Sequence, residues 1–225
     1  MSVLRVSPKW ESPQTVASFT RGTPNQVLMD FARSFAQPAR CLDIGCGAGR
    51  NSFPLAALGF HVEGLDWSAP MITAARERQA TEAGGNRTAF TFGPMAPLPY
   101  PDASFDLIVA HGVWNLSVSD AAFRQALQEA ARVAKPAAGL FVFTFSRSTL
   151  PPAATPDPGQ HYTFSGWNGE PQIFLTDSQL QCELSRVGFL LEKDTSVTEY
   201  QRPAAAADKP GRFPALLEAR FRWGA

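Results

Sequence analysis

Residues 41–50, with the sequence CLDIGCGAGR, constrain the fold of this chain more than any other feature. A short apolar run ends at Asp43 and Ile44, glycine then stands at positions 45, 47 and 49, and a helical pattern opens directly afterwards. Glycine permits a positive φ and lets a ligand lie against the main chain with no Cβ in the way. The first amides of the following helix would face the anionic end of such a ligand. The sequence therefore predicts a strand, a cofactor-binding turn and a helix.

Two kinds of cofactor fit this turn at first sight. Asp66 lies 21 residues after Gly45, at the end of the next apolar run, where its carboxylate can accept both hydroxyls of a ribose. A dinucleotide-binding turn has the spacing G-x-G-x-x-G, which requires a third small residue at position 50. That position holds Arg50, whose long side chain obstructs close helix–strand packing. An NAD(P)-dependent oxidoreductase is therefore disfavoured and stays as an alternative.

Short apolar runs alternate with helical patterns from residue 39 to residue 145, which indicates βαβ units and a mostly parallel sheet. Helix starts are predicted at Thr23 and Pro24, at Ser119, and at a capping box formed by Thr176 and Gln179. The predicted strands are 39–44, 60–65, 88–92, 105–110 and 139–145. Two β-rich segments follow, 189–200 and 213–223, and the Pro/Ala-rich loop at 203–210 that joins them allows an antiparallel pair at one sheet edge.

Composition excludes several classes of function. The chain of 225 residues has 20 Lys and Arg against 20 Asp and Glu, so no net field attracts a polyanion, and we expect no nucleic-acid partner. Its three scattered cysteines contain no C-x-x-C pair, which predicts a reducing, cytoplasmic setting and no metal site. The N-terminal residues have no signal-peptide pattern, and no run approaches the roughly 18 apolar residues of a membrane span.

The pattern D-x-G-x-G-x-G at residues 43–49 resembles the first motif of class I S-adenosylmethionine-dependent methyltransferases. Four further segments resemble later motifs of that family in the right order: VEGLDWSAPM (62–71), LPYPDASFDLIVA (98–110), RVAKPAAGLFVFTF (132–145) and FLTDSQLQCELSRVGF (174–189). In kind, they are similar to small-molecule enzymes of the ubiquinone-biosynthesis group. The resemblance implies an α/β fold with a Rossmann-like, doubly wound seven-stranded sheet, mostly parallel with an antiparallel C-terminal strand, in the order 3-2-1-4-5-7-6.

The resemblance also implies a cofactor site for S-adenosylmethionine. The glycine turn would pack on the methionyl part, Asp43 would help to hold its amino group, and Asp66 would take the ribose hydroxyls. Trp67 and Met71 would flank the adenine, although core packing is an equal alternative for both. The family's usual Gly-Asp after the third strand is Gly93-Pro94 here, so an amide of residue 95 or 96 would reach the adenine. The implied cofactor-binding set is Asp43, Gly45, Cys46, Gly47, Asp66, Trp67, Met71, Met95, Ala96 and Ala110.

The acceptor side is less defined by the sequence. Residues 111–117, HGVWNLS, lack the Asn/Asp-Pro-Pro-aromatic tetrad of amino-methylating nucleic-acid enzymes, which disfavours base methylation. His111 and His161 are the candidates for a general base, needed only where the acceptor must lose a proton; a structural role is the alternative for His111. The acceptor would be held by the following residues and segments: Trp10, Phe19 and Arg21 of an N-terminal helical segment 1–38, Trp114, Asn115, a flap at 147–175, and Tyr200.

These inferences predict a single methyltransferase domain over residues 1–225 that transfers a methyl group from S-adenosylmethionine to a small molecule. The acceptor atom, whether O, N, S or C, and the oligomeric state stay open. A cofactor-binding protein without activity is the alternative outside catalysis. For the flap, whose Tyr162, Phe164 and Trp167 carry much of its apolar surface, a satellite hydrophobic core is an equal alternative.

Overall fold

The computed structural model describes residues 7–201 and 213–224. The chain forms two compact units, one from Met1–Tyr100 with Ser104–Val109 and the other from Pro101–Ala103 with Ala110–Ala225. The helices are α1 (Pro13–Arg21), α2 (Gln26–Ala32), α3 (Ser52–Ala57), α4 (Ala69–Arg78), α5 (Asp120–Val133) and α6 (Asp177–Ser185). The strands are β1 (Arg40–Ile44), β2 (His61–Asp66), β3 (Thr88–Phe92), β4 (Phe105–His111), β5 (Ala134–Phe145), β6 (Thr163–Phe164), β7 (Gln172–Ile173), β8 (Phe189–Leu191), β9 (Thr198–Tyr200) and β10 (Leu216–Trp223).

The main sheet has the strand order β3-β2-β1-β4-β5-β10-β8, and β9 adds an eighth strand against β10. Strands β1, β2 and β3 pair in parallel, whereas β10 is antiparallel to β5, β8 and β9. With β8 as the sixth strand and β10 as the seventh, this order confirms the predicted 3-2-1-4-5-7-6 topology. The predicted antiparallel pair formed by the segments after Gly188 is confirmed at one edge of the sheet, where β10 lies between β5 and the edge strand β8.

The first unit is built on β1, β2 and β3, whose register pairs Asp43 with Gly64 and Asp66 with Phe92. Most side chains of β1 and β2 are buried, as expected of strands covered on both faces. The predicted first and second strands each begin one residue later than expected. The carboxyl ends of the three strands lie side by side, so the loops after Ile44, Asp66 and Phe92 start at one edge of the sheet.

Three of the helix-start predictions can be compared with the structure. The capping box of Thr176 and Gln179 and the Ser119 cap are confirmed. The start at Thr23 is wrong: α2 begins at Gln26, because the side chain of Asn25 accepts the amide of Leu28. A contact distant in sequence also holds this turn, since the Asn25 amide donates to Asn51 Oδ1 at 3.0 Å.

The expectation that a helix opens directly after the glycine turn is also wrong. Residues 47–51 form turns, and the six-residue α3 begins only at Ser52. The reason is the hydrogen bond from the Gly49 amide to the Cys46 carbonyl at 3.0 Å, which closes a separate turn before the helix. A ligand at this turn would therefore meet turn amides rather than the N-terminus of a long helix.

The second unit contains β5 to β10, α5 and α6. Strand β5 begins at Ala134 rather than at the predicted residue 139, although its pairing with β10 starts at Gly139. The 147–175 segment contains the two-stranded β6–β7 sheet and a cluster of Leu150, Phe164 and Phe174, against which Phe145, Ala154 and Trp167 pack. The segment thus has a satellite core of its own.

The predicted loop at 203–210 and the first six residues of the N-terminal helical segment lie outside the described residues. Within the described ranges, no helix has the length and apolar character needed to cross a bilayer.

Candidate cofactor-binding site

The glycine turn is fastened to the end of β2 by three amides. Gly45 and Cys46 both donate to the carbonyl of Leu65, at 2.7 and 3.1 Å, and Gly47 donates to Asp66 Oδ2 at 2.8 Å. These bonds place the turn after β1 directly beside the carboxylate that ends β2. The glycine turn and Asp66, which the sequence predicted for different parts of one cofactor, are therefore in direct contact.

Gly47 and Gly49 serve different purposes in this turn. Both have positive φ, 54° and 82°. A Cβ on Gly49 would lie 2.5 Å from the ring of Phe53, so this glycine is required by packing beneath the turn. A Cβ on Gly47 would lie 3.3 Å from Phe19 Cδ1 and 3.8 Å from Met71 Sδ, which form the walls of a narrow cradle over the backbone.

Cys46 presents only its backbone to the candidate site, because its side chain is buried. Its thiol packs in a buried cluster with Phe53, Ile72, Ala75 and Phe90, and burial raises the pKa of the thiol well above its ordinary value. A thiol with a raised pKa is held in its protonated, unreactive form. A contact between Cys46 and the predicted cofactor would therefore have to be made by the main chain of Cys46.

Asp43 is almost fully buried at the end of β1, and Ser52 Oγ donates to its Oδ2 at 2.6 Å. Burial raises the pKa of Asp43 to about 6, against the opposing effects of the Ser52 hydrogen bond and the Arg50 charge. A buried carboxylate with a raised pKa favours a cationic ligand, because a positive charge beside it removes the cost of ionisation. Ser52 was not among the predicted site residues, and the sequence carries no signal for it beyond its place after the motif.

Asp66 is held in one orientation by two backbone amides. Gly47 donates to Oδ2 and Ser68 donates to Oδ1, each at 2.8 Å, while burial raises the pKa of the carboxyl. Each oxygen of a carboxylate has a second lone pair, so both can still accept a hydrogen bond from a ligand. The arrangement suits a pair of vicinal hydroxyls.

The residues predicted for the adenine end lie around the ends of β2 and β3. Trp67 is half-buried and packs against Phe92 with ring centroids 5.9 Å apart, while Met71 is buried with its sulfur beside Gly47. The amide of Gly93 donates to the Asp66 carbonyl at 3.0 Å, so the half-buried Met95 and Ala96 follow from a point next to Asp66.

Of the three N-terminal residues predicted to hold the acceptor, two lie beside the glycine turn and one is exposed. Phe19 contacts the Gly47 cradle and packs edge-on against Trp10, whose carbonyl accepts the hydroxyl of Ser68 at 3.0 Å. Arg21 ends α1 and is exposed. Phe19 thus lies beside Gly47 and Trp10 lies beside Phe19, a placement at the glycine turn that the sequence did not indicate.

The remaining predicted residues belong to the second unit. Ala110 is buried in β4, and His111 ends that strand with its ring stacked on Phe143 at 4.3 Å. His161 is 72% exposed, and its Nδ1 lies 3.2 Å from Oδ2 of the buried Asp120. Trp114 and Asn115 are buried in a short 3-10 turn, and Tyr200 donates to Glu218 Oε1 at 2.8 Å.

The glycine turn and Asp66 lie in a region that resembles known proteins. Residues 41–137 match the family described as methyltransferase domain. Methyltransferase GfsG from Streptomyces halstedii is 30% identical over 92% of this chain and 73% of its own length. The chain belongs to the methyltransferase family. The demethylmenaquinone methyltransferase of Clavibacter sepedonicus is 34% identical over 50% of this chain and 43% of its own length.

The chain described here spans less than two thirds of the length of the demethylmenaquinone methyltransferases that it matches. Among solved structures, the CcbJ methyltransferase of Streptomyces caelestis superposes with a TM-score of 0.66 at 18% identity, over 92% of both chains. At this identity the likeness concerns the fold. It confirms the Rossmann-like α/β architecture with antiparallel C-terminal strands.

Proposed function

We propose that this protein transfers a methyl group from S-adenosylmethionine to a small-molecule acceptor. S-adenosylmethionine is the cofactor that membership of the methyltransferase family implies. The observation that carries the proposal is the Asp66 carboxylate, which two backbone amides hold beside the Gly47 cradle. A carboxylate so oriented is suited to both hydroxyls of a ribose, and the missing Cβ at Gly47 would let an apolar chain lie against the backbone.

Each polar end of the cofactor has a matching group in the first unit. Asp43 would pair with the amino group of the methionyl part, whose positive charge suits a buried carboxylate with a raised pKa. Gly45, Cys46 and Gly47 would contact the methionyl chain through their backbones. The adenine would lie by Trp67 and Met71 and accept a backbone amide of Met95 or Ala96, and Ala110 completes the proposed set.

The chemistry requires little of the protein beyond positioning. When bound, S-adenosylmethionine supplies a methyl group already activated on a sulfonium. The protein aligns the acceptor and excludes water, which accounts for much of the catalysis of such a displacement. Where the acceptor must lose a proton, His111 and His161 are the proposed bases, and Asp120 orients the imidazole of His161.

The partner and location belong to the same proposal. A small neutral or weakly charged acceptor is favoured over nucleic acid by the zero net charge of the chain. A cytoplasmic setting is supported by the cysteines, since Cys41, Cys46 and Cys182 are all free thiols.

Calorimetric titration with S-adenosylhomocysteine tests the cofactor assignment. Asp66→Ala should weaken binding by about 100-fold or more, because two hydrogen bonds to a charged group are lost. Asp66→Asn should lie in between. Asp30→Ala, which removes a carboxylate exposed on α2, is the matched control and should leave the affinity unchanged.

The alternatives predict different titrations. Binding of NAD(P) with no response to S-adenosylhomocysteine would replace the proposal with an oxidoreductase. Equal affinity in the Asp66→Ala variant and the unmodified chain would remove Asp66 from the site. Tight binding without methyl transfer to any acceptor of a broad panel would favour an inactive cofactor-binding protein.

A further inference from the structure

A groove with a volume of about 130 Å³ lies between α5 and the end of α6 in the second unit, and we call it the α5–α6 groove. It is lined by Arg124, Leu127, Gln128, Glu183, Arg186 and Val187. On each side the three lining residues are spaced i, i+3 and i+4, so each helical segment contributes one face. Because a water molecule occupies about 30 Å³ in the liquid, the groove has room for a small polyatomic ligand.

Glu183 is the buried charge of this groove. Its side chain is 1% exposed, and Leu127, which also lines the groove, is fully buried. Burial opposes ionisation, but hydrogen bonds from Arg124 and Tyr162 hold the pKa of Glu183 below its ordinary value. Glu183 is therefore ionised at neutral pH and fixes the cationic groups that bind it.

Arg124 is sufficient by itself to neutralise Glu183. Its Nε donates to Oε2 at 2.8 Å and its Nη2 donates to Oε1 at 3.1 Å, which is the two-bond fork between a guanidinium and a carboxylate. The hydroxyl of Tyr162 also donates to Oε1, at 3.0 Å, and the Tyr162 ring lies 5.6 Å from the Arg124 guanidinium. The carboxylate is thus fully paired without a second cation.

Arg186 nevertheless brings a second positive charge to the same oxygen atom. Its Nη1 donates to Glu183 Oε1 at 2.5 Å, and 59% of its side chain is exposed. Two guanidinium groups therefore lie close together with one carboxylate between them, so their mutual repulsion is only partly offset. The residues that line the groove have a net charge of +1.

The groove also has hydrogen-bond donors to spare. Bonds to Glu183 use two nitrogen atoms of Arg124 and one of Arg186, so each guanidinium keeps further N–H donors. The exposed amide of Gln128 has no hydrogen-bond partner within residues 7–201 and 213–224. An excess positive charge with fixed N–H donors is the arrangement that recognises oxyanions.

We propose that the α5–α6 groove is a further ligand site of this protein, which binds the phosphate group of a small molecule between Arg124 and Arg186. A phosphate has enough terminal oxygens to accept from two guanidinium groups at once, whereas a carboxylate matches the fork of one. The anion offsets the excess charge, and Leu127 and Val187 contact the apolar body that carries the phosphate. All the lining residues belong to the second unit and none to the candidate cofactor-binding set, so the inference does not depend on the proposed function.

Calorimetric titrations of the full chain with inorganic phosphate and with phenyl phosphate test the site. Both should bind, and phenyl phosphate should bind about threefold to tenfold more tightly, because its ring covers the apolar part of the groove. Equal affinity of the two would support the site for free phosphate. Sodium chloride at the same ionic strength should give no saturable heat, since a chloride ion cannot accept from both guanidinium forks.

Arg186→Gln should weaken both ligands by about tenfold or more, because hydrogen bonds to a charged group are lost. Arg186→Lys keeps the charge without the planar fork and should lie in between. Arg33→Gln is the matched control: Arg33 is also an exposed arginine whose Nη1 pairs with a carboxylate three residues earlier, and it lies outside the groove. This variant should bind both ligands as the unmodified chain does.

Thermal unfolding of each variant without ligand establishes that it is folded, and phenyl phosphate should raise the Tm of the unmodified chain but not that of Arg186→Gln. If Arg186→Gln does not fold, the exposed Gln128 supplies the test, since Gln128→Leu should weaken both ligands by about threefold or more. Absence of saturable binding of both phosphates, or equal affinity in the Arg186→Gln and Arg33→Gln variants, would overturn the inference. So would loss of phosphate binding in Asp66→Ala, which would place the anion at the glycine turn instead.

Discussion

The glycine turn of the first unit and the 147–175 segment of the second unit are each held in place by contacts with other residues, but these residues differ in their distance along the sequence. The turn is fixed by residues close to a recognisable motif, with Gly47 bound to Asp66 and Gly49 seated on Phe53. The segment is fixed by aromatic contacts around Phe174, whose partners come from positions spread over the segment and from β5. The candidate cofactor site therefore follows from local sequence rules. The 147–175 segment, which the sequence predicts to hold the acceptor, depends on contacts between residues that are distant in sequence.

The largest expected effect separates stability from cofactor binding. Phe174 is fully buried, so Phe174→Ala should lower the free energy of unfolding by about 3–5 kcal/mol in urea titrations. Its affinity for S-adenosylhomocysteine should stay within about twofold, because all the proposed cofactor contacts except Ala110 lie in the first unit. Phe53→Ala, which removes a buried ring beneath the turn, should lower stability by a similar amount and also weaken the cofactor.

An exposed ring gives the control for both variants. Phe213→Ala should change the free energy of unfolding by less than about 1 kcal/mol, because its side chain is 66% exposed. If Phe174→Ala weakened S-adenosylhomocysteine as much as Phe53→Ala does, the two regions would be coupled and the comparison would fail.

The second effect concerns pH and the buried carboxyl of the turn. The pKa of Asp43 is about 6 in the folded chain against an ordinary value of 3.8, so between these values the folded state binds the proton more tightly. Stability should therefore fall as pH rises from 4 to 7, by about 2 kcal/mol from this group. The Asp43→Asn variant lacks this titrating group, so its unfolding free energy should not show that decrease. The unfolding free energy of the variant should therefore rise relative to that of the unmodified chain between pH 4 and pH 7.

Urea titrations at several pH values measure this difference directly. S-adenosylhomocysteine added at pH 7 should reduce it, since the cofactor's ammonium would stabilise the ionised carboxylate. A difference that is the same at pH 4 and pH 7 would mean that Asp43 has the same pKa in the folded and the unfolded chain, so that its burial has no net effect on that pKa.

The first unit was predictable from the sequence to the extent that its rules are local. The glycine spacing and the position of Asp66 after the second strand predicted two parts of one site, which the structure brings into contact. In the second unit, the local pattern of Thr176 and Gln179 likewise predicted the capping box. The start of α2 was not predictable, since Thr23 and Asn25 are both good caps and the choice depends on the bond of the Asn25 amide to Asn51. The aromatic packing around Phe174 depends on partners that no periodicity in the sequence identifies.

The smallest effect compares the two regions at one backbone conformation. Gly49 in the turn has φ of 82° and Gly169 in the 147–175 segment has φ of 83°. Alanine at either position carries the strain of a positive φ, about 1 kcal/mol. Only at Gly49 would the new methyl group also meet a ring, at 2.5 Å, whereas nothing lies within 4 Å of it at Gly169.

Gly49→Ala should therefore destabilise the chain by about 2 kcal/mol more than Gly169→Ala does, the added amount being the cost of overpacking a buried site. Each variant serves as the control for the other in urea unfolding, because the backbone strain is matched and only the steric contact differs. The double variant Gly49→Ala with Phe53→Leu should recover part of the loss, since a shorter side chain leaves room for the methyl group. Equal destabilisation at the two glycines would mean that Phe53 moves aside without cost, so that the turn is held by Asp66 and Leu65 rather than by the ring beneath it.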